Sequence, residues 1–173
     1  MLEGCCTTDT RTPLRPLALS VTNLAASLMT LGLAYDSDDG RSAAAYFSAL
    51  ATASALQASA LLAARGGAFD VNLDAAVRKT VLQSIKDKRA GLAGTPFGAT
   101  EIARRAVTPL VRQPRIAPLA ALAVAAFDAA YDGARESGLY NAHVTMMATP
   151  RALQQMMDAR TLDAAPDVSL VDF

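Results

Sequence analysis

The sequence predicts a mainly α-helical fold of about six helices with one or two short strands. Hydrophobic residues make up 52% of the chain and aromatic residues only 5%, with no Trp. Because most of the hydrophobic residues are Ala and Leu, this composition favours close-packed helices over a β-sandwich. Apolar residues also recur at helical spacing in segments that end at glycines. At 173 residues the chain can bury a core without disulfides or metals, so we predict a single domain.

Charge and cysteine usage exclude several classes of partner. Lys plus Arg and Asp plus Glu both number 16, so no net field favours nucleic acid or a membrane surface. Cys5 and Cys6 are adjacent and rarely bridge in that arrangement, and the sequence has one His, so we expect no metal site and no cofactor. Neither a leader nor an apolar run long enough to span a bilayer is evident, which predicts a soluble cytoplasmic protein.

The N-terminal third is predicted to hold an arm and a first helix. Residues 1–13 are polar and lack periodicity, so we predict a flexible arm that precedes one helical domain over residues 14–173. The first helix is predicted over about residues 16–31, and Gly32 suits its left-handed stop. Its apolar residues at helical spacing are Leu17, Val21, Leu24 and Leu28.

A long Ala-rich helix is predicted next, over about residues 38–64. Ser37 or Asp36 can cap it, and Asp38 and Asp39 suit the positive end of the helix dipole. Small side chains let helix backbones approach closely, so we expect this helix to be central or to contact a partner subunit. The stripe expected to pack comprises Phe47, Leu50, Ala51, Ser54, Ala55, Ala58, Leu61 and Leu62.

Residues 72–90 form the most amphipathic segment of the chain. Leu73, Val77, Val81 and Ile85 fall every fourth residue. The other faces carry Arg78, Lys79, Lys86, Lys88 and Arg89. This basic cluster can contact phosphates or an acidic partner, but acidic residues on the same helix and the lack of interleaved aromatics favour a solvated face.

The segment after this helix contains turns, a short helix and a second long helix. Residues 91–98 are rich in turn formers, and a short helix opens at Thr100 but cannot run past Pro109. Pro118 opens a further helix that Gly138 ends. Its apolar positions are Leu119, Leu122, Ala126, Phe127, Ala130 and Tyr131.

The C-terminal stretch, residues 141–173, reads as a short strand that turns into a helix start at Thr149-Pro150. Unpaired N–H groups and the helix dipole converge at such a turn and can hold a phosphate. The candidate anion-binding residues are Thr149, Arg151, Asn141 and His143. The alternative is that Thr149 merely caps the helix and Arg151 points into solvent.

Two blocks of this sequence resemble a known family. The first spans residues 14–69 and the second is the C-terminal stretch. Both are similar, in order, to the large catalytic subunit of cobalamin-dependent (class II) ribonucleotide reductases, in the C-terminal part of the barrel domain. The first block matches at Asn23-Leu24, Gly32, Tyr35-Asp36-Ser37-Asp38 and Gly40-Arg41. The second matches at Asn141-Ala142, Val144-Thr145, Ala148, Met157-Asp158, Thr161, Pro166-Asp167 and Leu170-Val171.

The departures from that family bear on activity. The resemblance implies a Pro-Thr-Gly-Thr turn that cradles the substrate diphosphate, and this chain has Thr149, Pro150, Arg151 and Ala152 there. The Gly that allows close backbone approach and two hydroxyl positions are thus replaced. The adjacent Cys5 and Cys6 do not fit the radical and redox cysteines that the resemblance implies. We therefore expect a degenerate, truncated, bacterial relative that does not reduce ribonucleotides and serves in binding or assembly.

Two further expectations concern alternatives and assembly. An unrelated small enzyme would use His143 as a base, with acids drawn from Asp158, Asp163 and Asp167. A lone His on a strand is more often structural. The Ala-rich long helix and the methionines near the turn suggest an interface between copies, so we predict a homodimer. Those methionines are Met146, Met147, Met156 and Met157.

Overall fold

A computed structural model of the chain describes residues 14–69, 75–93, 109, 111–145 and 155–156. These residues contain four helices: α1 (Leu24–Thr30), α2 (Asp38–Gly66), α3 (Ala75–Leu92) and α4 (Ala117–Ser137). The predicted mainly α fold is confirmed for this part, although about six helices were expected. The predicted arm over residues 1–13, the helix opening at Thr100 and most of the C-terminal stretch lie outside the described residues.

The start and end of α2 follow from its flanking residues. Ser37 is extended and its hydroxyl accepts a hydrogen bond from the Gly40 N–H at 2.9 Å, which confirms the predicted cap. Asp38 and Asp39 occupy the first turn, as predicted. The helix ends at Gly66, and Gly67, which caps it, has a φ of 80°. Local sequence thus fixes both ends of the central helix.

The core lies mainly between α2 and α4, which form the most extensive helix pair in the described chain. Both contribute small side chains to the contact, and the largest fully buried side chain of the core is Phe127 of α4. At Gly133 an added Cβ would lie 3.1 Å from the Ala60 Cβ, so the two backbones approach closely. The buried alanines are Ala43, Ala49, Ala53, Ala55, Ala60 and Ala63 on α2, with Ala120, Ala123, Ala130 and Ala134 on α4.

The C-terminal half of the stripe predicted on α2 does not pack within the chain itself, and its contact with a partner subunit stays a prediction. Leu61 is 66% exposed and Leu62 is 49% exposed, and Ser54 and Ala58 also face solvent. Ala and Leu occur on every side of this helix, so its hydrophobic pattern does not define a single face. The face that packs is the one whose small side chains fit α4.

Helix α3 runs antiparallel to α4. Arg78 near the start of α3 donates to the carbonyl of Arg135 near the end of α4, at 2.8 Å. At the other end Arg89 pairs with Asp128 at 3.0 Å. Of the predicted apolar stripe, Ile85 is buried in the core and Val81 packs against it, but Val77 is 36% exposed. The amphipathic pattern is therefore confirmed only in the second half of the segment, and Leu73 lies outside the described residues.

The predicted first helix starts too early. Residues 16–23 are not helical, and the Leu17 N–H donates to the His143 carbonyl at 2.9 Å, while Leu19 forms a parallel bridge with Thr145. Asn23, with a φ of 61°, stands at the junction with α1. The backbone groups of this segment are satisfied by hydrogen bonds to residues 143–144 instead of by hydrogen bonds within a helix. This bridge is the described part of the predicted strand.

Among the described residues, one helix, α2, is long and apolar enough to cross a membrane by length and composition. The sequence expectation that no such run exists is therefore wrong on those two criteria. The buried face of α2 packs against α4 in the core.

Candidate functional site

A buried polar contact, the Ser59–Asn141 junction, stands where the chain enters the C-terminal stretch. The Asn141 N–H donates to the Ser59 Oγ at 2.9 Å, and the Ser59 hydroxyl donates to the Asn141 Oδ1 at 3.0 Å. The Asn141 Nδ2 donates to the carbonyl of Arg15 at 2.7 Å. Both side chains are almost fully buried, so these bonds satisfy groups that water cannot reach.

Arg15 and Tyr140 extend the junction toward the end of α2. The Arg15 guanidinium lies 3.7 Å from the centroid of the Tyr140 ring and donates to the Gly67 carbonyl at 3.1 Å. A Cβ at Gly66 would approach the same ring to 2.9 Å, so glycine there makes room for the aromatic ring. Arg15 itself has a φ of 43°. These contacts hold residues 14–19 against the start of the C-terminal stretch.

The predicted anion-binding residues are only partly described. The side chain of Asn141 is engaged in the junction, and His143 is exposed and accepts from the Leu17 N–H through its backbone carbonyl. Thr149 and Arg151 lie outside the described residues. The anion site therefore stays a prediction.

A second polar group surrounds the start of α2. Arg41 pairs with Asp36 and with Asp38, each at 2.7 Å, and Arg112 reaches Asp38 at 3.4 Å. The hydrogen bond from Arg41 and then the charges of Arg41 and Arg112 lower the pKa of the Asp38 carboxyl below its usual value. At Gly40 an added Cβ would lie 2.3 Å from the Ala34 carbonyl oxygen, so only glycine fits. This group shapes the turn into α2.

The third feature is an open groove between α3 and α4 of about 330 Å³, which we call the basic groove. Lys86 stands 4.8 Å from the centroid of the Tyr131 ring. The sequence identified the basic residues of this helix but not their position beside Tyr131. In the described ranges no group of His, Cys, Asp and Glu could hold a metal ion. The groove is lined by Ala75, Arg78, Lys79, Leu82, Gln83, Lys86 and Tyr131.

Comparison with known proteins identifies the class to which this chain belongs. A family model described as ribonucleotide reductase, barrel domain, matches residues 6–171. The chain therefore belongs to the ribonucleotide reductase barrel-domain family, as the resemblance predicted.

Individual relatives make the assignment more specific. The chain is similar to the vitamin B12-dependent ribonucleotide reductase of Bradyrhizobium diazoefficiens, with 33% identity over 160 residues, which cover 92% of this chain and 12% of that protein. The enzyme of the same name from Agrobacterium fabrum is 31% identical over 159 residues, again 92% of this chain and 12% of the relative. That of Rhodopirellula baltica is 29% identical over 160 residues, 92% of this chain and 14% of the relative. The chain thus spans a small part of the length of these bacterial proteins.

Proposed function

We propose that this chain is a non-catalytic ribonucleotide-reductase-like module that acts in binding or assembly. The supporting observation is how the family-matching residues of the first block are used. Ser37 caps α2, Gly40 permits a close backbone contact, and Arg41 pairs with Asp38. These residues maintain the fold. By the resemblance, Arg151 and the residues beside it replace the loop that would cradle a substrate diphosphate.

An activity assay tests this proposal directly. Purified protein, supplied with cobalamin, a dithiol and each ribonucleotide in turn, is expected to form no deoxyribonucleotide. A full-length vitamin B12-dependent reductase in the same buffer serves as the positive control. Deoxyribonucleotide formation by this chain alone would reject the proposal.

We further propose that the protein is cytoplasmic and forms a homodimer.

The second candidate function is binding of a nucleotide or phosphate at Thr149-Pro150-Arg151. Its support in the described chain is that the entry to this stretch is held in place. The Ala142 N–H donates to the Leu14 carbonyl at 2.9 Å, and the Leu19 N–H donates to the Val144 carbonyl at 3.2 Å. A fixed entry would preorganise a helix start for an anion.

Calorimetry separates this candidate from the first. Titration with nucleoside di- and triphosphates should release heat, and Arg151→Ala should weaken binding about tenfold if its guanidinium contacts the anion. Arg65→Ala, at the exposed end of α2, is the matched control and should bind like the parent protein. No heat at about millimolar ligand would remove this candidate. The third possibility, an unrelated small enzyme that uses His143 as a base, is not favoured, because the chain belongs to the reductase family.

A further inference from the structure

The basic groove follows one stripe of α3. Its α3 residues are spaced three, four, seven, eight and eleven positions from Ala75, which places them on one face of the helix. Tyr131 of α4 faces this stripe and closes one side of the groove. Leu82 and Tyr131 are half-buried and pack against the core, so the floor is apolar and well supported.

The rim of the groove is positively charged. Arg78, Lys79 and Lys86 line it, and no acidic side chain is among the lining residues that the structure describes. Elsewhere on α3, Arg89 is neutralised by Asp128 across the helix pair. In the part of the chain that the structure describes, neither Lys79 nor Lys86 forms a salt bridge. The groove therefore combines an apolar floor with cations whose charge is not balanced by a described carboxylate.

We propose that the basic groove docks an acidic amphipathic helix of a partner protein. Lys79 and Lys86 are seven residues apart, which is about two turns or roughly 10 Å along α3. A partner helix with carboxylates two turns apart would face both cations, and the apolar residues between them would pack on Leu82 and Tyr131. The inference rests on the proposed function, because it gives that binding module a surface and a class of partner.

The probe is a synthetic helical peptide of about three turns that carries glutamates two turns apart with leucines between them. Backbone NMR shifts of the 173-residue chain are followed during titration. Saturable shifts are expected at Lys79, Leu82, Lys86 and Tyr131. The double variant Lys79→Glu with Lys86→Glu should bind this peptide about tenfold or more weakly.

Charge reversal distinguishes a lost contact from a lost fold. The same double variant should bind a peptide with lysines in place of the glutamates, and the parent protein should not. Arg65→Glu, an equal change of charge on the exposed end of α2, should leave acidic-peptide binding within about twofold of the parent value.

Three outcomes would overturn the inference: no saturable shift in the groove, shifts confined to other surfaces, or displacement of the peptide from the groove by a nucleoside triphosphate that binds more tightly. The last would make the groove a site for small anions. None of these outcomes would count against the proposal that the chain is not catalytic. Formation of deoxyribonucleotide in the activity assay would reject the proposed function whether or not the peptide binds.

Discussion

The side chain of Asn141 joins three segments that are distant in the sequence. It bonds to Ser59, which is 82 positions away on α2, and to Arg15, which is 126 positions away. The backbone N–H of Tyr140 adds a hydrogen bond to the Ser59 carbonyl at 3.0 Å. One buried amide thus fixes the N-terminal segment and the C-terminal stretch to the same turn of the central helix.

We expect Ser59→Ala to destabilise the protein by about 1–3 kcal/mol. The change leaves both the N–H and the Oδ1 of Asn141 buried without their shared hydroxyl partner. Urea unfolding measures the loss as a lower midpoint. Ser48→Ala, an exposed change of the same kind on the same helix, is the control and should stay within about 0.5 kcal/mol of the parent. Equal midpoints for the two variants would show that the junction is not important for stability.

The sequence predicts Asn141 as a candidate anion-binding residue at the start of the strand-and-turn pattern. In the fold its amide is occupied by Ser59 and Arg15, and neither partner is near it in sequence. Pairings over such separations have no local signature, because they depend on how the whole chain packs. Arg151 and Thr149 remain the residues on which the anion site depends.

At the scale of elements, the beginning of α2 was predictable and its packing face was not. The cap at Ser37 and the two acidic residues after it act within one turn, so local sequence is enough to identify them. The packing face depends on which of many alanines fit against Gly133 and its neighbours on α4. Apolar spacing predicts a helix over residues 16–23, because spacing alone cannot identify their pairing partner at residues 143–145.

The charged group at the start of α2 predicts a specific dependence on pH. Because the folded-state pKa of Asp38 is lowered, its contribution to stability is present above its ordinary value of 3.8 and is lost as pH falls through the folded value. Arg41→Gln removes the largest cause of the lowering. The difference in unfolding free energy between parent and variant should therefore be constant near neutral pH and should shrink in acid below that ordinary value.

Urea titrations at a series of pH values down to the acid limit of folding measure this difference. Added salt should also reduce it, because the ion pairs are exposed and screened. Arg65→Gln is the control, since Arg65 lies at the other end of the same helix and no described carboxylate pairs with it. A difference for Arg41→Gln that stays the same in acid would contradict the assignment of the stabilising contact to Asp38.

At the scale of the whole molecule, several large apolar side chains of the described residues lie outside the core and are exposed to solvent. Leu61 and Leu62 stand exposed on the C-terminal half of α2, on the stripe that the sequence predicted to pack. Ala58 and Ser54 continue this stripe with small side chains. A helix face of this kind permits close approach of a second helix, and an apolar surface rimmed by polar residues often marks an interface. In the proposed homodimer, this stripe meets the same stripe of a second copy.

We expect sedimentation to show a dimer at on the order of tens of micromolar protein, and Leu61→Lys to convert it to a folded monomer. In a symmetric dimer each substitution acts twice, because each subunit contributes one lysine to the interface and both lose their apolar burial. Leu122→Lys is the control, as Leu122 is 59% exposed on α4 and should leave the dimer intact. Circular dichroism confirms that both variants keep their helices. A parent protein that sediments as a monomer would contradict the homodimer, and a dimer that survives Leu61→Lys would place the interface away from α2.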